Sequence, residues 1–137
     1  MSVVQSKRGE TTLTVVTKAR ELASYTIHIC SNEKTFPKRY RWCLTSKIVD
    51  AVIDINKNII TANSIYVNDL SSRLLRKSYQ DIAVAETYSL LSLIDIAYCT
   101  FSIESSRVKH WTELVVNVQT LLRNWRKSDL EKTKNLN

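Results

Sequence analysis

Glycine and proline are almost missing: the 137 residues contain one of each, where an ordinary globular chain carries about 12% of the two together. Dinucleotide and P-loop sites need glycines at fixed spacings so that backbone can approach phosphate, and sandwiches or barrels need frequent turn residues. Those classes are excluded. Cysteine is sparse as well. Cys30, Cys43 and Cys99 form no CxxC and cannot all pair, which argues against a disulfide framework and fits a reducing compartment; they read as small core residues. Long apolar runs are absent too. The start, MSVVQSKRGETTL, lacks an apolar stretch followed by a small-residue cleavage site, and no later stretch approaches eighteen uncharged apolar residues. The expectation is a soluble, cytoplasmic protein with no membrane partner.

What is present is ordinary for one globular domain. Hydrophobic residues make up 44% and charged residues 24%, which excludes a disordered chain. At this length folding buries roughly 68% of the extended chain's surface, enough for a sizeable core. Twenty Lys and Arg against thirteen Asp and Glu give a formal charge of +7. Either a polyanionic partner or simple solubility accounts for that excess.

Four segments, at about 12–33, 37–63, 72–101 and 108–127, place apolar residues at helical spacing, and none sustains the alternation of a half-buried strand. In the first, Val15, Ala19, Leu22, Thr26, Ile29 and Cys30 share one face, with Lys18, Glu21, Tyr25 and His28 opposite. Pro37 offers a start for the second, whose core stripe is Tyr40, Leu44, Ile48, Ala51, Val52, Ile55, Ile59 and Ala62. The third puts Leu75, Tyr79, Ile82, Ala83, Leu90, Leu93, Ile94, Ala97 and Phe101 on its core side, and the fourth carries Trp111, Leu114, Val115, Val118, Leu121, Leu122 and Trp125. Short breaks between long helices predict an all-α, antiparallel up-down-up-down four-helix bundle spanning 1–137 as one domain, with flexible polar tails from Ser128 onward and at the start.

The second helix has another apolar stripe. Trp42, Val49, Ile53 and Ile60 lie roughly 140° from the first stripe at spacings of seven, four and seven. One bundle does not easily cover both faces, so these four residues are candidates for a homo-oligomer interface.

Reactive groups are too few and too scattered for an enzyme. His28 and His110 read as surface histidines, and a di-iron bundle would need Glu three residues before a His, where Tyr25 and Arg107 stand instead. No catalytic residue, metal, cofactor or small-molecule substrate is expected. Glu86 projects among core residues of the third helix and must find a partner or a wet seam. The cations are more informative. Lys34, Lys38, Arg39, Arg41 and Lys47 occupy a stretch without a carboxylate, interleaved with Tyr40 and Trp42. That combination suits phosphate contact and base stacking, or equally a solvated turn with Tyr40 in the core. Smaller groups, Arg73/Arg76/Lys77 and Arg123/Arg126/Lys127, would place positive charge at the opposite end of the bundle.

The turn Phe36-Pro37-Lys38-Arg39-Tyr40-Arg41-Trp42, the run from Ala85 to Tyr98 (AETYSLLSLIDIAY) and the ending Leu121-Leu122-Arg123-Asn124-Trp125-Arg126-Lys127-Ser128 resemble the small four-helix-bundle proteins related to the accessory variability protein of diversity-generating retroelements. The same superfamily includes proteins encoded in intervening sequences of bacterial 23S ribosomal RNA genes. The resemblance spans about Val15 to Ser128. It implies a ring-like homopentamer whose basic surfaces bind a reverse transcriptase and RNA or an RNA/cDNA hybrid, supporting mutagenic reverse transcription. By residue it carries over to Pro37, Lys38 and Arg41 at the turn. The other reading of the same fold is an oligomeric protein-interaction scaffold with no nucleic-acid role.

Overall fold

Helical periodicity becomes four long helices in the computed structural model, which describes residues 3–137, with side chains from Thr12 onward. They are α1 (Val3–Cys30), α2 (Ser46–Ser64), α3 (Leu70–Thr100) and α4 (Ser105–Lys132), and the described residues contain no strand. Each helix packs chiefly against two others: α1 on α2 and α4, and α3 on the same two. Side-chain pairs fix the sense of α3 against α4. Arg73 bonds to Thr133, Arg76 to Asp129, Asp81 to Arg126 and Thr87 to Gln119, so one number falls as the other rises and the two helices run in opposite directions.

The core fills the space between these faces. Val15, Ala19 and Leu22 of α1, Ile48, Val52, Ile55 and Ile59 of α2, Ala83, Leu90 and Ile94 of α3, and Trp111, Val115 and Leu122 of α4 are buried in one cluster. Three of its buried polar residues, Thr26, Thr87 and Gln119, are paired across helices, whereas the Gln80 amide is buried without a partner among the described residues. The Trp111 indole N–H donates to the Thr26 hydroxyl at 2.9 Å, and the Gln119 amide donates to Thr87 Oγ1 at 3.1 Å. Asn56 of α2 donates to the carbonyl of Ala19 on α1 at 3.0 Å. Asp69 caps α3: its carboxylate accepts from the Ser72 N–H while the Ser72 hydroxyl accepts from the Asp69 N–H. Those bonds hold the Asp69 carboxyl below the usual carboxylate range.

Several expectations are corrected. The first helix begins at Val3 rather than near 12 and stops at Cys30, Met1 and Ser2 lying outside the described residues. The second does not run unbroken from 37: a 3₁₀ turn (Lys38–Tyr40) and a π turn (Arg41–Thr45) precede α2. The tail from Ser128 does not fray where expected. Helix α4 continues to Lys132; the Arg73 guanidinium donates to the Leu130 carbonyl in its last turn and to the Thr133 hydroxyl just past it, and the Leu70 N–H donates to the Asn137 carbonyl. Leu75 and Ile82 are exposed instead of buried, because α3 carries a second apolar line on its outer side. By length and composition α3 is a helix that could cross a membrane, although 33% of its most apolar window is buried inside the fold.

Candidate nucleic-acid interface

The basic stretch is built on an aromatic foundation. After α1, the Asn32 side chain accepts from the Lys34 N–H at 3.0 Å and its carbonyl accepts from the N–H of Phe36 at 2.8 Å, closing a tight turn that drives Phe36 inward. Phe36 is buried and meets Phe101 and Trp111 edge-on, at 5.2 and 6.1 Å between ring centres, and Tyr40 meets Phe101 in the same way at 5.1 Å. These rings tie the turn to the end of α3 and the start of α4. Pro37 takes extended backbone, its fixed φ of −61° directing the chain into the 3₁₀ turn.

From this base the five cations point away. Lys34, Lys38, Arg39, Arg41 and Lys47 are all exposed. Among the described residues only Lys38 has a carboxylate partner, Glu33 at 3.4 Å, and both side chains are well over half exposed. The absence of acids between Lys34 and Lys47 therefore overstated the isolation of Lys38, since Glu33 sits one residue outside that window. An exposed pair of this kind is worth about 0–1 kcal/mol and yields readily to a phosphate. The Arg39 guanidinium lies over the Tyr40 ring, 5.0 Å from its centre, a cation–π contact at the exposed surface.

A cation from elsewhere in the chain joins this end of the bundle. Arg107, at the start of α4, lines a recess with His28 and with Ser31 and Asn32 of the turn. His110 stands edge-on to Tyr25 at 5.1 Å. The clue in the sequence was the position of Arg107 at the end of the break before the fourth helix, which an alternating bundle brings back beside the end of the first.

The opposite end does not offer its positive charge in the same way. Arg76 pairs with Asp129 at 2.8 Å and also donates to the Ile65 carbonyl. Lys77 and Arg126 share Asp81, whose burial would raise its pKa but whose two cationic partners hold it below the usual carboxylate range. Arg73 serves the tail, and Arg123 lies over the Tyr88 ring at 5.3 Å. These side chains fasten α3 to α4. Positive charge was expected at both ends, in smaller groups at this one, and internal pairing leaves the exposed cations of the turn as the larger concentration of available charge.

The four residues of the second stripe differ in their surroundings. Trp42 is 80% exposed on the π turn, Val49 is half-buried, and Ile53 and Ile60 are exposed on α2. Glu86 is half-buried near Asp54, and burial together with that second carboxylate pushes its pKa up. No group of three His, Cys, Asp or Glu side chains that could hold a metal occurs among the described residues.

The chain matches no family model, no curated protein and no solved structure.

Proposed function

We propose that this is a non-enzymatic nucleic-acid-binding protein that grips phosphates through the basic turn at one end of an up-down-up-down bundle. The observation that carries this reading is the set of five exposed cations, Lys34, Lys38, Arg39, Arg41 and Lys47, with a single carboxylate partner among the described residues, on a turn braced from beneath by packed rings. Connections of only five and four residues (65–69 and 101–104) favour antiparallel neighbours for α2–α3 and α3–α4. The resemblance to the retroelement accessory proteins adds a context: RNA or an RNA/cDNA hybrid held next to a reverse transcriptase by a homopentamer, in the cytoplasm. A ring would repeat a weak patch several times, and avidity then rises by about 10² or more where the geometry permits. Val49, Ile53 and Ile60 are the proposed contacts between copies.

The test is a salt titration of binding to RNA, DNA and RNA/DNA hybrid by the parent and by the triple variant Lys38→Glu, Arg39→Glu, Arg41→Glu. Each lost phosphate contact removes about 0.7–0.9 from the slope of log affinity against log salt. We expect a flatter slope and weaker binding, with helicity and oligomeric size unchanged. Parent-like binding with the same slope would leave the patch a solvated turn. The scaffold reading would then stand, favoured by the exposed Ile53 and Ile60 of α2 and Ile82 and Ile96 of α3.

A further inference from the structure

Trp42 is one of three tryptophans, and the other two, Trp111 and Trp125, are buried in the core. Its 80% exposure is extreme for an indole, whose burial is otherwise worth a few kcal/mol. The seven-residue step to Val49 suggests that it belongs to the apolar line of α2. The backbone argues otherwise. Residues Arg41–Thr45 form a π turn in which the Ser46 N–H donates to the Arg41 carbonyl, five residues back. Such a turn takes more residues per revolution than an α-helix, so seven steps across it do not return to the same line. Trp42 is thereby rotated off the Val49–Ile53–Ile60 stripe, and it shares its turn with Arg41.

We infer that Trp42 is a stacking platform for an unpaired base, so that the basic turn selects single-stranded over duplex nucleic acid. This rests on the nucleic-acid reading above and deepens it. The chemistry is that of sequence-tolerant single-strand binders: cations follow the phosphates while an aromatic face receives a base. A duplex keeps its bases stacked on one another and offers the indole nothing in exchange for exposure. Charge complementarity chooses the occupant. A protein partner seeking an apolar anchor would meet Arg41 on the same turn and Lys38 and Arg39 on the turn just before it, whereas a polyanion with exposed ring faces is matched by both features. The support is rigid as well, since Leu44 of the same turn is buried and Tyr40 just before it is held against Phe101. Little conformational freedom is lost when a base docks.

The experiment uses the full chain with a mixed-sequence single-stranded oligonucleotide and a duplex of equal length, followed by tryptophan fluorescence and by an independent binding assay. Single strands should quench emission from the exposed indole, and the duplex should not. Trp42→Ala should weaken single-strand binding at least about fivefold, the lower end of what one stacked base contributes. Its salt slope should remain that of the parent, because stacking releases no counterions. Trp42→Phe should recover most of the affinity. If Trp42→Ala binds single strands as tightly as the parent while the triple charge-reversal variant does not, the stacking inference is overturned and the basic-turn reading survives. If neither variant alters binding, both fail. A fall in oligomeric size with Trp42→Ala, with equal losses on single strand and duplex, would make Trp42 an interface residue and overturn the inference as well.

Discussion

Arg76 joins three parts of the chain at once. It lies on α3, pairs with Asp129 on α4 and donates to the carbonyl of Ile65 in the connection after α2. With both charged partners largely buried, removal of one leaves the other stranded, which in such settings costs about 3–5 kcal/mol. Glu86 is the opposite case, a carboxylate whose surroundings disfavour its charge. Its pKa is raised first by burial and then by Asp54. The favourable state is therefore the protonated one. Its contribution is fully present below the unfolded carboxyl pKa and is lost as pH rises through the folded value. Glu86→Gln should match the parent's stability at low pH and exceed it at neutral pH, by about 0.5 kcal/mol, the scale of a solvent-screened charge interaction. Urea denaturation at several pH values checks this, and a Gln variant less stable than the parent at neutral pH would show that Glu86 has a cationic partner in solution.

At the scale of elements, the π turn and the two-faced α3 carry most of what the sequence hid. The core stripes of α1 and α4 were legible because each helix has one apolar face, so Val15, Leu22, Trp111 and Leu122 fall inside as the spacing requires. On α3 there are two candidate phases. Leu75, Ile82 and Ile96 recur at multiples of seven on the outer side, while Ala83, Leu90, Ile94 and Ala97 make the inner one. Spacing alone cannot choose between them, and only contact with α2 and α4 does. The π turn was illegible for another reason. No residue type demands it; it arises because Tyr40 must reach Phe101 while Leu44 and Ile48 stay buried. The basic residues themselves were legible from their clustering, but the contribution of Arg107 required knowing which helix ends share a pole. Deleting Cys43 makes the bond from the Ser46 N–H to the Arg41 carbonyl an ordinary α-helical one, so the turn should close as an α-helix with Arg41 and Trp42 keeping their places relative to α2. Helicity by circular dichroism should hold. Nucleic-acid affinity should stay near the parent's, whereas a large fall would mean that the π turn itself is needed for binding.

For the molecule as a whole, the outer faces of α2 and α3 carry exposed apolar side chains. Ile53 and Ile60 expose apolar surface that is worth about 25 cal/mol per Å² if another copy buries it. Ile53→Glu places a charge there without touching the core, so it should dissociate the proposed homo-oligomer while leaving the helical signal intact. Light scattering at tens of micromolar is the measurement; a parent that is already monomeric and unaffected by the substitution would remove α2 from the interface. The three cysteines supply a timer for the same bundle. Cys43 and Cys99 are exposed, whereas Cys30 is buried with its thiol pushed up to about 12. A maleimide at neutral pH should therefore modify two thiols per chain quickly and the third only when α1 lifts away from the core. When reclosing outpaces labelling, the lag of that third modification follows the population of the open state. One mass spectrum per time point thus counts how often the closed molecule comes apart, under conditions where it stays folded nearly all the time.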